Sequence, residues 1–388
     1  RAVDAVELNA QMLELVQDRF AAFSGRPYSQ PGVRAHLAEA RGFVAGSSDH
    51  YDLIQLALVD AHGASSAGLH ALSENYLYTV EALRDDLRRL APGGLLAITR
   101  WISLPPRDLL KLTATAIAAL EAEGVREPGR RLALIRGWKT GTLVIKNGDF
   151  SPDELTRIRA FCRQRSFDLD WLPDLRAHET NRYNQLARPD FPAAMHALLG
   201  PDRAQFMQRY KYLIAPASDN RPYFFHFFKW SSLPEWLYLR ERGGMPLMEW
   251  GYPVLMATLI QAALASLVLI LLPLLLLPQG TGGRRLPRTG QGRVLGYFSA
   301  LGMAFMFVEI AFIQKFMLFL SHPLYAIAVV LSGFLLFAGL GSRFSGKLGG
   351  RLRQDQAERN VRRAVIAIAA IALAYMFLLP ELFRQLAG

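Results

Sequence analysis

The chain has 388 residues, 51% of them hydrophobic, and 44 Lys and Arg against 33 Asp and Glu give a formal charge of +11. That length predicts two or three domains, and a single cysteine, Cys162, excludes an intrachain disulfide and a cysteine-based metal cluster. Nucleic acid is not expected as a partner: no nucleic-acid module accompanies the charge, and much of the excess lies in two stretches between apolar segments, where basic residues beside membrane spans collect. Gly280–Arg293 carries Arg284, Arg285, Arg288 and Arg293 with no acid, and Ser342–Arg363 carries six Arg and Lys347 against Asp355 and Glu358.

The chain opens on Arg1 with a run that reads as a mid-domain strand, and it stops soon after an apolar segment, so it reads as a fragment cut at both ends. Val3–Leu8 is a short apolar run, and Ala10–Phe23 has helical periodicity. Val33–Leu37 reads as a strand, Glu39–Val44 as a helical turn and Tyr51–Leu58 as a central buried strand. Ser73 is read as the N-cap of a helix to Leu90, followed by a Pro92-Gly93-Gly94 turn and a strand over Gly94–Thr99. Asp108–Ala122 reads as helix, and Arg131–Gly137 with Gly141–Lys146 as a closing antiparallel pair. Ser151-Pro152-Asp153-Glu154 is a capping box with proline at N1, opening a helix to about Ser166. Strand–helix alternation predicts a doubly wound, Rossmann-like α/β domain over residues 1–147. Residues 148–250 read as an irregular aromatic and proline-rich extension. Over 251–388, four segments (Pro253–Leu277, Val294–Leu320, Leu324–Leu340 and Ala364–Phe383) are about long enough to cross a bilayer, apolar on all faces.

In an open parallel sheet, ligands sit outside the carboxyl ends of the strands. Glu7 ends the first strand, where a carboxylate can accept both hydroxyls of a ribose; its plainer use is as an acid before a helix N-terminus. Glu39 and Ala40 follow the second strand, where a side-chain acceptor and backbone N–H groups can meet an adenine; equally, Glu39 can be a helix-start acid beside Arg41. Asp60 and His62 lie in the loop after the central strand and offer a base and a proton shuttle, or ordinary turn chemistry. Tyr76 can line the crevice or pack. In Asp219-Asn220-Arg221-Pro222-Tyr223-Phe224-Phe225-His226, Arg221 can pair with a carboxylate of the site or anchor a lipid head group, or an Asp219–Arg221 turn can simply stabilise the junction with the membrane part. Glu309, Gln314 and Lys315 fall inside an apolar segment, where polar groups usually face a bundle interior.

These residues resemble the spermidine synthase-like branch of the class I S-adenosylmethionine-dependent methyltransferase fold, in particular bacterial membrane proteins that carry such a domain among transmembrane helices. The likeness covers Ala2–Lys146 and extends through Arg221-Pro222-Tyr223-Phe224-Phe225 and the stretch Glu309–Ser342. It implies a domain lacking its first strand and glycine-rich loop, which would precede Arg1. It also implies S-adenosylmethionine or its decarboxylated form as cofactor, with no metal, Glu7 on the ribose and Glu39 on the adenine side. One departure stands out. The family's D-S-x-D-P pattern corresponds to Ala57-Leu58-Val59-Asp60-Ala61, so the first acid is Ala57 and only Asp60 remains.

The implied function is a membrane-anchored transferase of methyl or aminopropyl groups to an unidentified small-molecule acceptor. The alternative is a non-catalytic, nucleoside-sensing or transporter-like membrane protein with a degenerate methyltransferase-like domain. Localisation is expected in the bacterial inner membrane, multi-pass, with the bilayer as partner. Basic loops after the first and third spans place the α/β domain opposite the cytosol, whereas a cytosolic nucleoside donor requires it inside; the donor decides for the cytosolic side.

Overall fold

Val3–Glu7 (β1) and Val33–Leu37 (β2) pair in parallel, with Glu7 opposite Leu37. The structure, a computed structural model, describes residues 2–58, 73–235, 251–276, 288–320, 323–349, 359, 362–371 and 374–375. They form two compact units, Arg1–Leu276 and Leu277–Gly388. The helix expected over Ala10–Phe23 is interrupted: Ala10–Glu14 (α1) and Ala21–Ser24 (α2) flank a π-helical turn at Leu15–Arg19. Asn9 caps α1 by accepting the N–H groups of Gln11 and Met12. Ala40–Gly46 (α3) follows β2.

Tyr51–Leu56 (β3) starts a second sheet of five strands, in the order β3-β4-β6-β5-β7. β4 (Leu90–Trp101) runs parallel to β3 and antiparallel to β6 (Thr140–Lys146). β5 (Leu132–Arg136) pairs antiparallel with β6 and with β7 (Asp168–Trp171). The α/β class predicted from alternation is the observed one, and the sheet is mixed. The expected Pro92-Gly93-Gly94 turn is instead a bulge inside β4, since Tyr51 pairs with Leu90 but Leu53 with Leu95. Gly93 takes φ +80°, and a Cβ on Gly94 would lie 2.8 Å from the Tyr51 carbonyl oxygen. Only glycine lets the two strands approach so closely.

Period-2 alternation divides the five-stranded sheet's two faces. Leu96, Ile98, Leu132, Leu134, Leu143 and Ile145 point into the main core with Val80–Arg89 (α4), Asp108–Ala122 (α5) and Asp190–Leu199 (α7). Ala133, Ile135, Val144 and Leu169 face the other way, beneath Pro152–Arg165 (α6). The Ser151–Glu154 capping box opens α6 as the sequence predicts. The helix expected from Ser73 begins later: Thr79 is the N-cap of α4, accepting the Ala82 N–H, and Tyr76–Tyr78 is a 3-10 turn.

The stretch expected to be irregular after Phe167 contributes β7 to the sheet, then α7 and α8 (Arg203–Arg209). Charge pins it there. Asp168 accepts the backbone N–H groups of Arg182, Tyr183 and Asn184, while Arg136 donates to Asp170 at 2.7 Å and to the Asn184 carbonyl at 2.7 Å. Farther on, Gly251–Leu276 (α9), Arg288–Leu320 (α10) and Pro323–Gly349 (α11) are long and apolar enough to cross a membrane, with windows of mean hydropathy 1.8, 1.7 and 1.8. Half of the fourth expected segment, Ala364–Phe383, lies outside the described residues, and the part within them is helical.

Candidate functional site

Glu7 and Glu39 sit at the carboxyl ends of neighbouring parallel strands. The Ala38 N–H donates to the Glu7 carbonyl at 3.1 Å, so the ladder runs to the edge where both strands give way to helices. The half-buried Glu7 side chain takes the Asn9 N–H on Oε1 at 2.8 Å, and among the described residues no group bonds Oε2. That leaves one carboxylate oxygen directed by the β1–α1 turn and free to accept a ligand hydroxyl. Glu39 is engaged: as N-cap of α3 its Oε1 accepts the Arg41 N–H at 3.0 Å and its Oε2 the Gly42 N–H at 2.6 Å. The plainer reading of Glu39, a helix-start acid, is therefore built into α3. Ala40 is the first residue of that helix and half-buried.

Arg41 ties Tyr76 to this edge. Its guanidinium forks onto Asp219 at 2.7 and 2.8 Å, reaches Asp85 at 3.2 Å, and donates to the Tyr76 carbonyl at 3.4 Å. A bidentate guanidinium–carboxylate pair fixes orientation as well as distance. Asp219 also accepts the Thr79 hydroxyl at 2.7 Å, and Arg41 holds its carboxyl below the usual range. The Tyr76 hydroxyl donates to Glu74 at 3.0 Å, and the ring is 44% exposed. The structure thus brings Glu7, Glu39 and Ala40 to neighbouring strand ends, and Tyr76 is linked to them only through its carbonyl on Arg41. Asp60 and His62, the residues expected to do chemistry, lie outside the described residues.

The sequence pattern placed Arg221 at the centre of the Asp219–His226 turn, whereas the structure gives the polar work to Asp219 and the packing to the phenylalanines. Arg221 closes the turn through its N–H to the Ser218 carbonyl at 2.8 Å. Asn75 and Val80 donate backbone N–H groups to Pro222 and Ala217, lacing the Tyr76 loop to this turn. Behind it, Phe224 and Phe225 lie 5.6 and 5.0 Å from the fully buried Arg100 guanidinium, which also reaches the Tyr78 hydroxyl at 3.2 Å and Asp108 at 3.5 Å. Lys111 donates to the carbonyls of Tyr223 and His226 at 3.0 and 2.9 Å. Stacking of guanidinium on rings explains why this turn needs consecutive aromatics.

Asp86 was also missed. It is 6% exposed on α4, and burial, reinforced by Asp85, pushes its carboxyl up to about 7. Among the described residues no group of three or more His, Cys, Asp or Glu is arranged to hold a metal.

No protein-family model matches the chain, and no curated protein matches it. Among solved structures, it is similar to a probable spermidine synthase from Corynebacterium glutamicum, at 20% identity over 42% of this chain and 53% of that one, with a TM-score of 0.31. Spermidine synthase from Thermotoga maritima matches at 11% identity over 39% and 47%, TM-score 0.28. The N-methyltransferase NodS from Bradyrhizobium japonicum, in complex with S-adenosyl-L-homocysteine, matches at 12% identity over 38% and 67%, TM-score 0.24. The matched region spans about half the length of the two spermidine synthase structures.

Proposed function

We propose that the protein is a membrane-anchored group transferase that draws on an S-adenosylmethionine-type donor held at the carboxyl edge of β1 and β2. The observation that carries this reading is the placement of Glu7: a half-buried carboxylate with one uncommitted oxygen, at the end of a parallel strand and just before a helix. That is the position and chemistry that a ribose diol requires. Glu39 fits a less direct role. With both oxygens held by α3, it shapes the floor beside the base, and Ala40 leaves room above it. Tyr76, joined to this edge through Arg41, supplies an exposed ring.

When bound, the donor supplies a sulfonium leaving group: the acceptor's lone pair forms the new bond to carbon as the C–S bond breaks, and sulfur keeps the electron pair as a neutral thioether. The chain's part is to hold donor and acceptor in line, with Asp60 taking the acceptor's proton. α9, α10 and α11 anchor the protein in the bacterial inner membrane, and the α/β domain faces the cytosol, where the donor is made.

Equilibrium binding of labelled S-adenosylmethionine and of its decarboxylated form to the full-length protein in lipid nanodiscs tests this. Saturable binding, weakened tenfold or more by Glu7→Ala, is the expected result; no binding of either form overturns the proposal. A second reading is favoured by one feature: exposed Ala57 stands just after β3 where the resemblance calls for an acid. Binding without any transfer to amines or to lipid extract would identify a nucleoside-sensing domain instead. Sidedness is read with a single cysteine at exposed Ser48, in a Cys162→Ser background, which a membrane-impermeant maleimide should reach only after the cells are opened.

A further inference from the structure

We propose that the seam between α10 and α11 binds an organic ammonium ion, with Glu309 as its counter-charge. This rests on α10 and α11 crossing the membrane and is independent of what the α/β domain binds. Glu309 lies in the apolar window Gly296–Ile313. It is half-buried, as are Phe312 and Phe316, while Phe305, Val308 and Ile310 are 46%, 40% and 46% exposed. Phe305, Phe312 and Phe316 stand four before, three after and seven after it, on the same helical stripe.

The rings show what that stripe meets. Phe305 and Phe312 pack edge-on against Phe334 of α11, with centroids 5.4 and 5.7 Å apart, and Phe312 meets Tyr375 at 5.6 Å. Val330, one turn before Phe334, is 4% exposed, which marks the same seam. Among the described residues no hydrogen-bond or ion-pair partner reaches the Glu309 carboxylate. Lys315 is six residues along the same helix, about a third of a turn around the axis from Glu309, and so belongs to another face.

A carboxylate in hydrocarbon requires a compensating charge. A hard metal cation demands six or more oxygens, and this stripe offers one carboxylate among rings. An alkylammonium suits it better: one N–H⋯O pair to Glu309, with its methylene and ammonium surfaces on aromatic faces, whose quadrupoles attract cations within about 6 Å.

The test is equilibrium binding of labelled putrescine at neutral pH to the full-length protein in nanodiscs, compared with Glu309→Gln, Glu309→Asp and Phe334→Leu. Taking differences between variants isolates the seam from any amine held by the α/β domain, so a failure of donor binding does not bear on the result. Expected are a saturable site lost at least tenfold in Glu309→Gln, partly kept in Glu309→Asp and weakened several-fold in Phe334→Leu. Putrescine should also slow modification of Glu309 by a hydrophobic carbodiimide in the unmodified protein, a readout that needs no variant to fold. Equal binding in a folded Glu309→Gln, no saturable binding, or modification that putrescine does not slow overturns the proposal; the last would show a carboxyl that holds only a proton.

Discussion

The two sheets of the α/β domain differ in how they are held. In the five-stranded sheet, four of the five residues of β5 are buried, and β4 alternates buried and half-buried positions from Gly94 to Trp101. In the two-stranded sheet no residue of β1 or β2 is buried, nor any residue of α1, α2 or α3. The candidate ligand edge is therefore carried by the part with the least core, and the cooperative part lies beside it. Regions with few buried apolar contacts open at low free energy. α3 is fixed to the rest by Val44 packed on the main core, by Arg89 donating to the Ala45 carbonyl, and by Arg41, which grips Asp85 of α4 and Asp219 of the aromatic turn.

This contrast can be broken at three places, with decreasing effect. The largest change is expected in the well-packed half. Arg136 is 2% exposed and neutralises Asp168 and Asp170. Its loss in Arg136→Ala leaves buried carboxylates without a cation, so unfolding should become easier by about 3–5 kcal/mol, measured by denaturant titration of near-ultraviolet circular dichroism.

Next comes the boundary between the halves, where Asp86 on α4 lies within range of Glu39, Asp85 and Arg41. Its folded-state pKa of about 7 stands above its ordinary value of 3.8, so the folded protein holds an extra proton between those values. Its contribution to stability is then greatest below about pH 4 and is lost as pH rises through 7. Asp86→Asn should remove this fall, gaining up to about 4 kcal/mol at pH 8 and nothing at pH 4. The scale is set by about 1.4 kcal/mol per pH unit, and parallel unfolding curves at the two pH values provide the check.

The smallest effect is expected from the clamp itself. Arg41 is 19% exposed and Asp219 38%, so solvent weakens the pair and Arg41→Ala should cost only about 1 kcal/mol. Its signature is local: amide exchange should quicken about fivefold in β1, β2 and α3 while β4, β5 and β6 are unchanged. Uniform acceleration across both sheets would show that the two halves open as one and dissolve the contrast.

Much of the well-packed half was legible in the sequence because its signals are local. The β5–β6 hairpin follows from two apolar runs separated by a short polar turn, and α6 from the Ser151–Glu154 box. Where competing local signals coexist, reading failed: Ser73, Asn75 and Thr79 can all cap, and only the lacing of Asn75 and Val80 to residues near 220 makes Thr79 the one that starts α4. The bulge at Pro92–Gly94 looked like a turn because the same residue types serve both. The candidate edge was legible as far as strand ends predict it, which placed Glu7 and Glu39. The Arg41–Asp219 pair joins residues 178 positions apart, and no periodicity announces such a partner.

The lysine inside α5 has a practical bearing on where this protein can be cut. Lys111 is 3% exposed and depends on two carbonyl oxygens, those of Tyr223 and His226, that lie well past the last strand. A version trimmed at residue 172, where the sheet ends, would strip Lys111 of both carbonyl partners and Arg100 of the Phe224 and Phe225 rings. Its terminus belongs after Ser232, whose hydroxyl fastens to the Lys211 carbonyl at 2.6 Å.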